Sequence, residues 1–346
     1  MVYDVILKGG LIVDGTGAPS FKGDVGIKDE TIVKIGDLNA AQSEKILDCN
    51  DLVVAPGFID IHNHSDIDIL AVPTADNYIM QGVTTIVVGN CGSTCAPVSE
   101  KNKDMLVKSL PSYIKELQID WKTFEGYLKK VEGVAPSINF VALVGHGTVR
   151  SAVLGLERRE PTNQELEEMR SYVREAMEAG CFGLSTGLIY DPGVFAKTDE
   201  IASLAKVVAK YGGIYSSHIR NESDLLLDAV NEAIVIGEIA KVPVEISHLK
   251  ASAQRNWGLT KPALELITHG RHKGVEVTCD AYPYTAWMTD LLALLPPWTR
   301  EGGLENTISR IRDETARKKI IGDLKKPSLE WENTLCLLYT SPSPRD

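Results

Sequence analysis

Positive charge is scarce in this 346-residue chain: 36 Lys and Arg stand against 47 Asp and Glu, a formal net charge of −11. With no basic run to offset that balance, neither nucleic acid nor an anionic membrane surface is an expected partner. An anionic substrate would need positive charge supplied locally, by a metal ion or a few placed side chains. Long apolar runs are missing too, so no transmembrane helix is expected. The stretch MVYDVILKGGLIVDGTGAPS (1–20) lacks a charged start followed by an unbroken apolar segment. No secretory signal is therefore expected, the cytoplasm is the expected location, and Asn221-Glu222-Ser223 is not read as a glycosylation site. Six cysteines are too few for a disulfide framework in a chain this long. The remainder, 44% hydrophobic and 24% charged, is ordinary for a folded protein and excludes a disordered or collagen-like chain. The length sets a prior of about two domains.

Residues 1–55 read as short strands with turns, the start of a small β domain: VILKGGLIV, GDVGIKD and TIVKIGD carry β-branched residues and Gly/Asp punctuation. A strand-then-helix rhythm follows. Buried strands are predicted at 57–61, 83–89, 139–145, 181–187, 213–217, 243–247 and 275–280. A helix is predicted over 163–179, with Thr162 and Glu165 as a capping box, an apolar face of Leu166, Met169, Val173, Ala176 and Met177, and Gly180 at its end. A second runs from about Ser223 to Ala240. Repeated β-α units imply a parallel sheet with helices outside. Seven strands after a small all-β start suggest an α/β fold of the (β/α)8 TIM-barrel type with about seven strands present. The N-terminal β portion would be sandwich-like, and residues 56–335 would form the barrel. The apolar stretch 286–299 opens an insertion reaching about residue 335, with an amphipathic helix over 304–325 and no eighth buried strand. The terminal CLLYTSPSPRD (336–346) resembles a translated sequencing adapter, so Leu335 is expected to be the last native residue.

Seven histidines are few enough to weigh one by one. His62 and His64 in PGFIDIHNHSD are one strand period apart, so both imidazoles can point the same way. His218 (YSSHIR) and His248 (EISHLK) end predicted strands five and six. In a (β/α)8 barrel the C-terminal strand ends open onto one face, where the site lies. Cys91 (TIVVGNCGSTC) ends strand two, and a thiolate is a strong zinc ligand. Alone, Cys91 would be read as a small buried hydrophobe; beside four histidines it is read as a ligand. Cys95 completes Cys-x-x-x-Cys, but no second pair exists to make a structural zinc knuckle. Cys49, Cys181 and Cys279 are expected to fill core, and Cys336 falls in the suspect tail. His146 (LVGHGTVR) could line the pocket and donate to a substrate oxygen, or equally be a satisfied loop residue. His269 and His272 are expected in solvent at a helix end. GNCGST and GHGT lack a following Gly-Lys-Ser/Thr and are not phosphate loops. A Cys-His nucleophilic pair would not need four histidines.

PGFIDIHNHSD (56–66), GVTTIVVGNCG (82–92), GLSTGLIYDPG (183–193), SSHIRNE (216–222), ISHLK (246–250) and DAYPY (280–284) together resemble the N-acyl-D-amino-acid deacylases (D-aminoacylases) of the amidohydrolase superfamily. The likeness runs over essentially residues 1–335. Asn-Cys-Gly is its most discriminating part, because related cyclic-amide hydrolases use a carboxylated lysine on strand four, and CFGLSTG offers none. The resemblance implies a zinc hydrolase acting on small-molecule N-acyl-D-amino acids. Its tight zinc would be held by Cys91, His218 and His248, with His62, His64 and the shared Cys91 forming a second, weaker or empty site. It implies that Lys250 and a tyrosine of YPY, Tyr282, hold the substrate carboxylate. Read from the sequence alone, Lys250 could be a solvated charge and Tyr282 or Tyr284 could be packing. The general acid/base is implied to be an aspartate after strand eight, beyond this chain. Asp280, at the end of strand seven, is not assigned that role. The chain is accordingly expected to be inactive or poorly folded. The rival readings are a cyclic amide or imide hydrolase of the same superfamily and a non-catalytic metal-binding barrel. Oligomeric state is left open.

Overall fold

A computed structural model of the chain describes residues 2–111, 114 and 117–325. The chain divides into two compact units, Met1–Ile59 with Gln81–Thr84, and Asp60–Met80 with Thr85–Asp346. The expected tail 336–346, Cys336 and the end of the expected insertion lie outside the described residues.

The first unit is built on β1 (Val2–Ile12), β2 (Phe21–Lys28), β3 (Thr31–Gly36), β4 (Gln42–Asp48) and β5 (Val53–Val54). They form one mixed sheet in the order β3-β2-β1-β4, with β5 also paired to β1. Lys28 pairs with Thr31 across a two-residue turn, and both turn residues, Asp29 and Glu30, have positive φ (48° and 62°). That is the backbone a tight hairpin requires to match strand twist. A small core joins Tyr3, Ile6 and Leu38, with Ala41 packed against it. Buried Asp24 organises this end: its two oxygens accept the N–H groups of Gly9 (2.8 Å) and Leu38 (2.9 Å).

Next come β6 (Phe58–Asp60), β7 (Val83–Val88) and β8 (Asn139–Ala142), in a three-stranded sheet of that order, with β7 and β8 parallel. Within the second unit, β9 (Val144–Gly145), β10 (Gly183–Gly187), β11 (Ile214–His218), β12 (Val244–Ile246) and β13 (Val277–Cys279) form an all-parallel sheet in sequence order. Helices Asn163–Glu178, Thr198–Ala209, Leu226–Ala240 and Thr260–His272 connect its successive strands. This is an α/β architecture of repeated βαβ units. Parallel strands flanked by helices are covered on both faces, and all five residues of β10 are buried.

The helix expected at 163–179 spans Asn163–Glu178 and has its capping box: Thr162 Oγ1 accepts the Glu165 N–H, and Glu165 Oε2 accepts the Thr162 N–H. Met169, Val173, Ala176 and Met177 form its buried face. Three expectations need correction. The helix expected from about Ser223 starts at Leu226, because Asn221 Oδ1 accepts the N–H groups of Ser223 and Leu225 and holds the approach in a turn. The single helix expected over 304–325 is two, Leu304–Arg312 and Glu314–Leu324, because Asp313 leaves helical geometry and caps the second by accepting the Ala316 N–H. Cys279 is exposed rather than core. Its strand β13 is the outermost of the five-stranded sheet among the described residues, so one side has no neighbour to cover it. Cys49 and Cys181 are buried as expected. His269 and His272 lie exposed in the last turn of Thr260–His272.

Candidate metal centre

Each candidate ligand sits where a strand gives way to a loop. His62 and His64 follow β6, Cys91 follows β7, His218 ends β11, and His248 follows β12 by two residues. The loops hold their side chains by unusual backbone. Cys91 has φ 53° and His248 has φ 39°. Non-glycine residues in this left-handed region cost free energy and persist where the surroundings impose them, often at functional sites. Close packing encloses Cys91: a Cβ added to Gly187 would lie 2.0 Å from the Cys91 carbonyl oxygen, and one added to Gly145 would lie 2.5 Å from that of Gly92.

The side chains converge on sulfur. Cys91 Sγ lies 3.4 Å from His62 Nε2, 3.5 Å from His218 Nδ1 and 3.5 Å from His248 Nε2. Two donor sets share this sulfur, His62–His64–Cys91 and Cys91–His218–His248, and within each the ligand atoms lie within 4.8 Å of one another. The rings are correspondingly close, His218 to His248 at 4.3 Å and His62 to His248 at 4.9 Å between centroids. A tetrahedral zinc ion, with Zn–S about 2.3 Å and Zn–N about 2.0–2.1 Å, sets sulfur and nitrogen about 3.5–3.6 Å apart. The sulfur's spacings to His218 and His248, 3.5 Å each, match that separation. The donor chemistry fits as well. Burial, reinforced by the charges of His248, Lys250 and His62, pushes His218 down to about 3 against the opposing pull of Glu222, so its imidazole is neutral at neutral pH. Burial pushes the Cys91 thiol well above its ordinary range, with Glu222 adding to the effect and Lys250 opposing it. A divalent cation reverses that preference, because a coordinating thiol is deprotonated outright. Cys91, His218 and His248 are therefore a suitable zinc set, one sulfur and two imidazole donors.

Two carboxylates support the cluster from behind, and sequence reasoning assigned neither this part. Asp280 places Oδ2 3.2 Å from His62 Nδ1 while Oδ1 accepts the His248 backbone N–H at 2.5 Å. Glu222, nearly buried, places Oε1 2.7 Å from His248 Nδ1 and 2.5 Å from Lys250 Nζ, with Oε2 4.0 Å from His218 Nε2. Burial alone would raise Glu222; the hydrogen bond from His248 and the charges of His218 and Lys250 hold it down at about 2. The only hint in the sequence was a charged residue four places after His218 inside SSHIRNE.

Lys250 Nζ lies 5.5 Å from the centroid of the Tyr282 ring. The Tyr282 hydroxyl is buried with no hydrogen-bond partner among the described residues. Burial, with the charges of Glu222 and Asp280, raises it to about 12 and keeps it protonated as a donor. Tyr284 is largely exposed. His146 is placed elsewhere: it begins the helix His146–Leu154, its side chain is fully buried, and its Nε2 lies 2.8 Å from Glu200 Oε1. As placed, it offers no surface to a solute.

Comparison with known proteins places the chain among hydrolases of one family. The model of the amidohydrolase family designated Amidohydro_3 matches residues 45–317. A D-aminoacylase of Alcaligenes xylosoxydans xylosoxydans is 37% identical over 84% of this chain and 59% of its own length. An N-acyl-D-glutamate deacylase from Bordetella bronchiseptica, solved with zinc and a phosphonate mimic of the tetrahedral intermediate, superposes with a TM-score of 0.75 at 36% identity, over 82% of this chain and 59% of that one. A D-aminoacylase structure described by its binuclear metal centre, with one-metal activation and second-metal attenuation, gives a TM-score of 0.75 at 36% identity over 82% of this chain and 59% of that one. The chain thus spans about three fifths of the length of the relatives it matches. With the family model covering most of its residues, the chain belongs to the amidohydrolase family.

Proposed function

We propose that the chain carries the metal centre of a zinc-dependent N-acyl-D-amino-acid deacylase, which hydrolyses a linear amide to a carboxylate and a free D-amino acid. The observation that carries this reading is the cysteine sulfur surrounded by three imidazole nitrogens at 3.4–3.5 Å. It is the donor set expected where no strand-four lysine is available, and relatives of that activity align over most of the chain. In this reading the parallel strands belong to a (β/α)8 barrel, with residues 1–55 in a small β domain, and the strand-end origin of every ligand supports it.

Cys91, His218 and His248 would hold the tight zinc ion, with His62, His64 and the shared Cys91 offering a second, weaker position. When bound, zinc supplies Lewis-acid polarisation of the amide carbonyl and a water of lowered pKa. The chain's own residues then do the rest. Glu222 and Asp280 fix the imidazoles that face the sulfur. The Lys250 ammonium and the free Tyr282 hydroxyl, side by side near the cluster, bind and orient the substrate carboxylate. The leaving amine needs a proton; that step is not assigned to Asp280, both of whose oxygens are already engaged.

The test is zinc content by mass spectrometry together with hydrolysis of N-acetyl-D-methionine, its L-enantiomer and a hydantoin. One tightly bound zinc per chain, lost in Cys91→Ala, is expected, with turnover in a protein of the relatives' full length confined to the D-substrate. Ring opening of hydantoin alone would favour a cyclic-amide hydrolase. Stoichiometric zinc without turnover of any substrate in a protein of the relatives' full length would favour a non-catalytic metal-binding role.

A further inference from the structure

We propose that Glu222 is the positioning residue of this centre, one carboxylate oxygen that sets both the ligating face of His248 and the direction of Lys250. The inference rests on the metal-centre reading above and goes beyond it, since it concerns a residue outside the donor set. Glu222 Oε1 is 2.7 Å from His248 Nδ1 and 2.5 Å from Lys250 Nζ. A carboxylate is an acceptor only, so a proton on Nδ1 serves Glu222 Oε1 and leaves Nε2, 3.5 Å from Cys91 Sγ, its lone pair for a metal, while Lys250 Nζ, 3.0 Å from the same Nδ1, competes for that nitrogen. The same contact makes the ligand more basic, as a carboxylate behind a metal-bound histidine does.

The backbone holds Glu222 there. It follows β11 through the turn capped by Asn221, and its carbonyl accepts the Ser252 N–H at 2.7 Å. That bond ties the loop after β11 to the loop after β12, so the carboxylate and its two partners are fixed relative to one another. Lys250 also donates to the His248 carbonyl oxygen at 3.0 Å, which keeps its ammonium beside the shared oxygen. Lys250 therefore draws charge from the oxygen that polarises His248. The ammonium and the metal ligand compete for one atom, and their effects on metal affinity have opposite signs.

That opposition gives a test a merely structural residue would not pass. Zinc affinity is measured by competition with a chromophoric chelator in the wild-type chain and in Glu222→Gln, Glu222→Asp and Lys250→Met. Cobalt(II) spectra report the tetrahedral thiolate site, and melting of the zinc-free forms reports folding. Glu222→Gln is expected to weaken zinc binding 10- to 100-fold and shift the cobalt bands. Glu222→Asp, which keeps the charge at shorter reach, is expected to recover part of the loss. Lys250→Met is expected to bind zinc at least as tightly as wild type. Unchanged affinity in Glu222→Gln, or an equal loss in Glu222→Gln and Lys250→Met, overturns the assignment. If Glu222→Gln does not fold, the opposite directions expected of Glu222→Asp and Lys250→Met still decide it. A wild-type chain that takes up no zinc would instead refute the metal-centre reading.

Discussion

Two clusters in the second compact unit are made of the same three kinds of group, a histidine, a glutamate and a cation. In one, Glu222 bridges His248 and Lys250 at 2.7 and 2.5 Å. In the other, Glu200 bridges His146 and Arg150 at 2.8 and 2.5 Å. Each carboxylate is held below its ordinary range although burial pushes the other way, in each case by its histidine and its cation. The clusters differ at the far ring nitrogen. His248 Nε2 faces a sulfur that two more imidazoles also face. His146 Nδ1 has no hydrogen-bond partner among the described residues, and its side chain has no exposure. A carboxylate–histidine–cation triad is thus a way to bury an imidazole; it supports a metal centre only where the second nitrogen converges with other donors.

The sharpest way to break that comparison is to remove the carboxylate of the packing triad. Glu200→Gln leaves Arg150 buried and without its counter-charge, and loss of one partner from a buried pair costs about 3–5 kcal/mol. Urea unfolding of the zinc-free chain is expected to show that loss, while zinc stoichiometry stays that of wild type. A Glu200→Gln chain that folds normally but no longer binds zinc would mean that the two clusters act as one.

A third buried glutamate shows what happens without a histidine or a cation close enough to pair. Glu245 in β12 is tied only to Thr278 Oγ1 through Oε2, and Oε1 has no partner among the described residues. Burial, with the charge of Asp280 adding, raises it to about 7, against the Thr278 hydrogen bond and the charge of His62. The sign follows from linkage. Between about pH 4.5 and 7 the folded state keeps a proton that the unfolded state has released, so stability falls as pH rises through that window. A tenfold change in proton affinity is worth about 1.4 kcal/mol, so the contribution is on the order of 3 kcal/mol. Glu245→Gln is expected to flatten the pH dependence of the urea midpoint across this window. An identical slope in variant and wild type would show that Glu245 ionises normally.

The candidate donors were legible because two local signals mark them: His-x-His at strand period, and a histidine or cysteine where a buried β-branched run ends. Glu222 and Asp280 were not, because their work is tertiary. His62 meets Asp280 across 218 residues and Lys250 meets Glu222 across 28, and no local pattern records such pairs. His146 stood in the same kind of strand-end position as the ligands, and only the position of Glu200 separates it from them. The fold was legible as βαβ repeats, with strand ends displaced by at most two residues, though the single strand expected at 139–145 divides into β8 and β9. Cys279 was misread because alternation along a strand does not say whether the strand has a neighbour on both sides.

The smallest effect supplies the control that makes the comparison quantitative. Thr162 caps Asn163–Glu178 and contacts neither cluster; its hydroxyl accepts the Glu165 N–H at 3.2 Å. Thr162→Ala removes one half of the capping box and is expected to lower stability by about 1 kcal/mol. It should leave zinc affinity and the cobalt spectrum where they are. If such a distant loss of stability also weakened zinc binding, global softening could mimic the Glu222→Gln result. If it does not, a change in the cobalt bands belongs to the residues that touch His248, and the two triads are separable by experiment as they are by geometry.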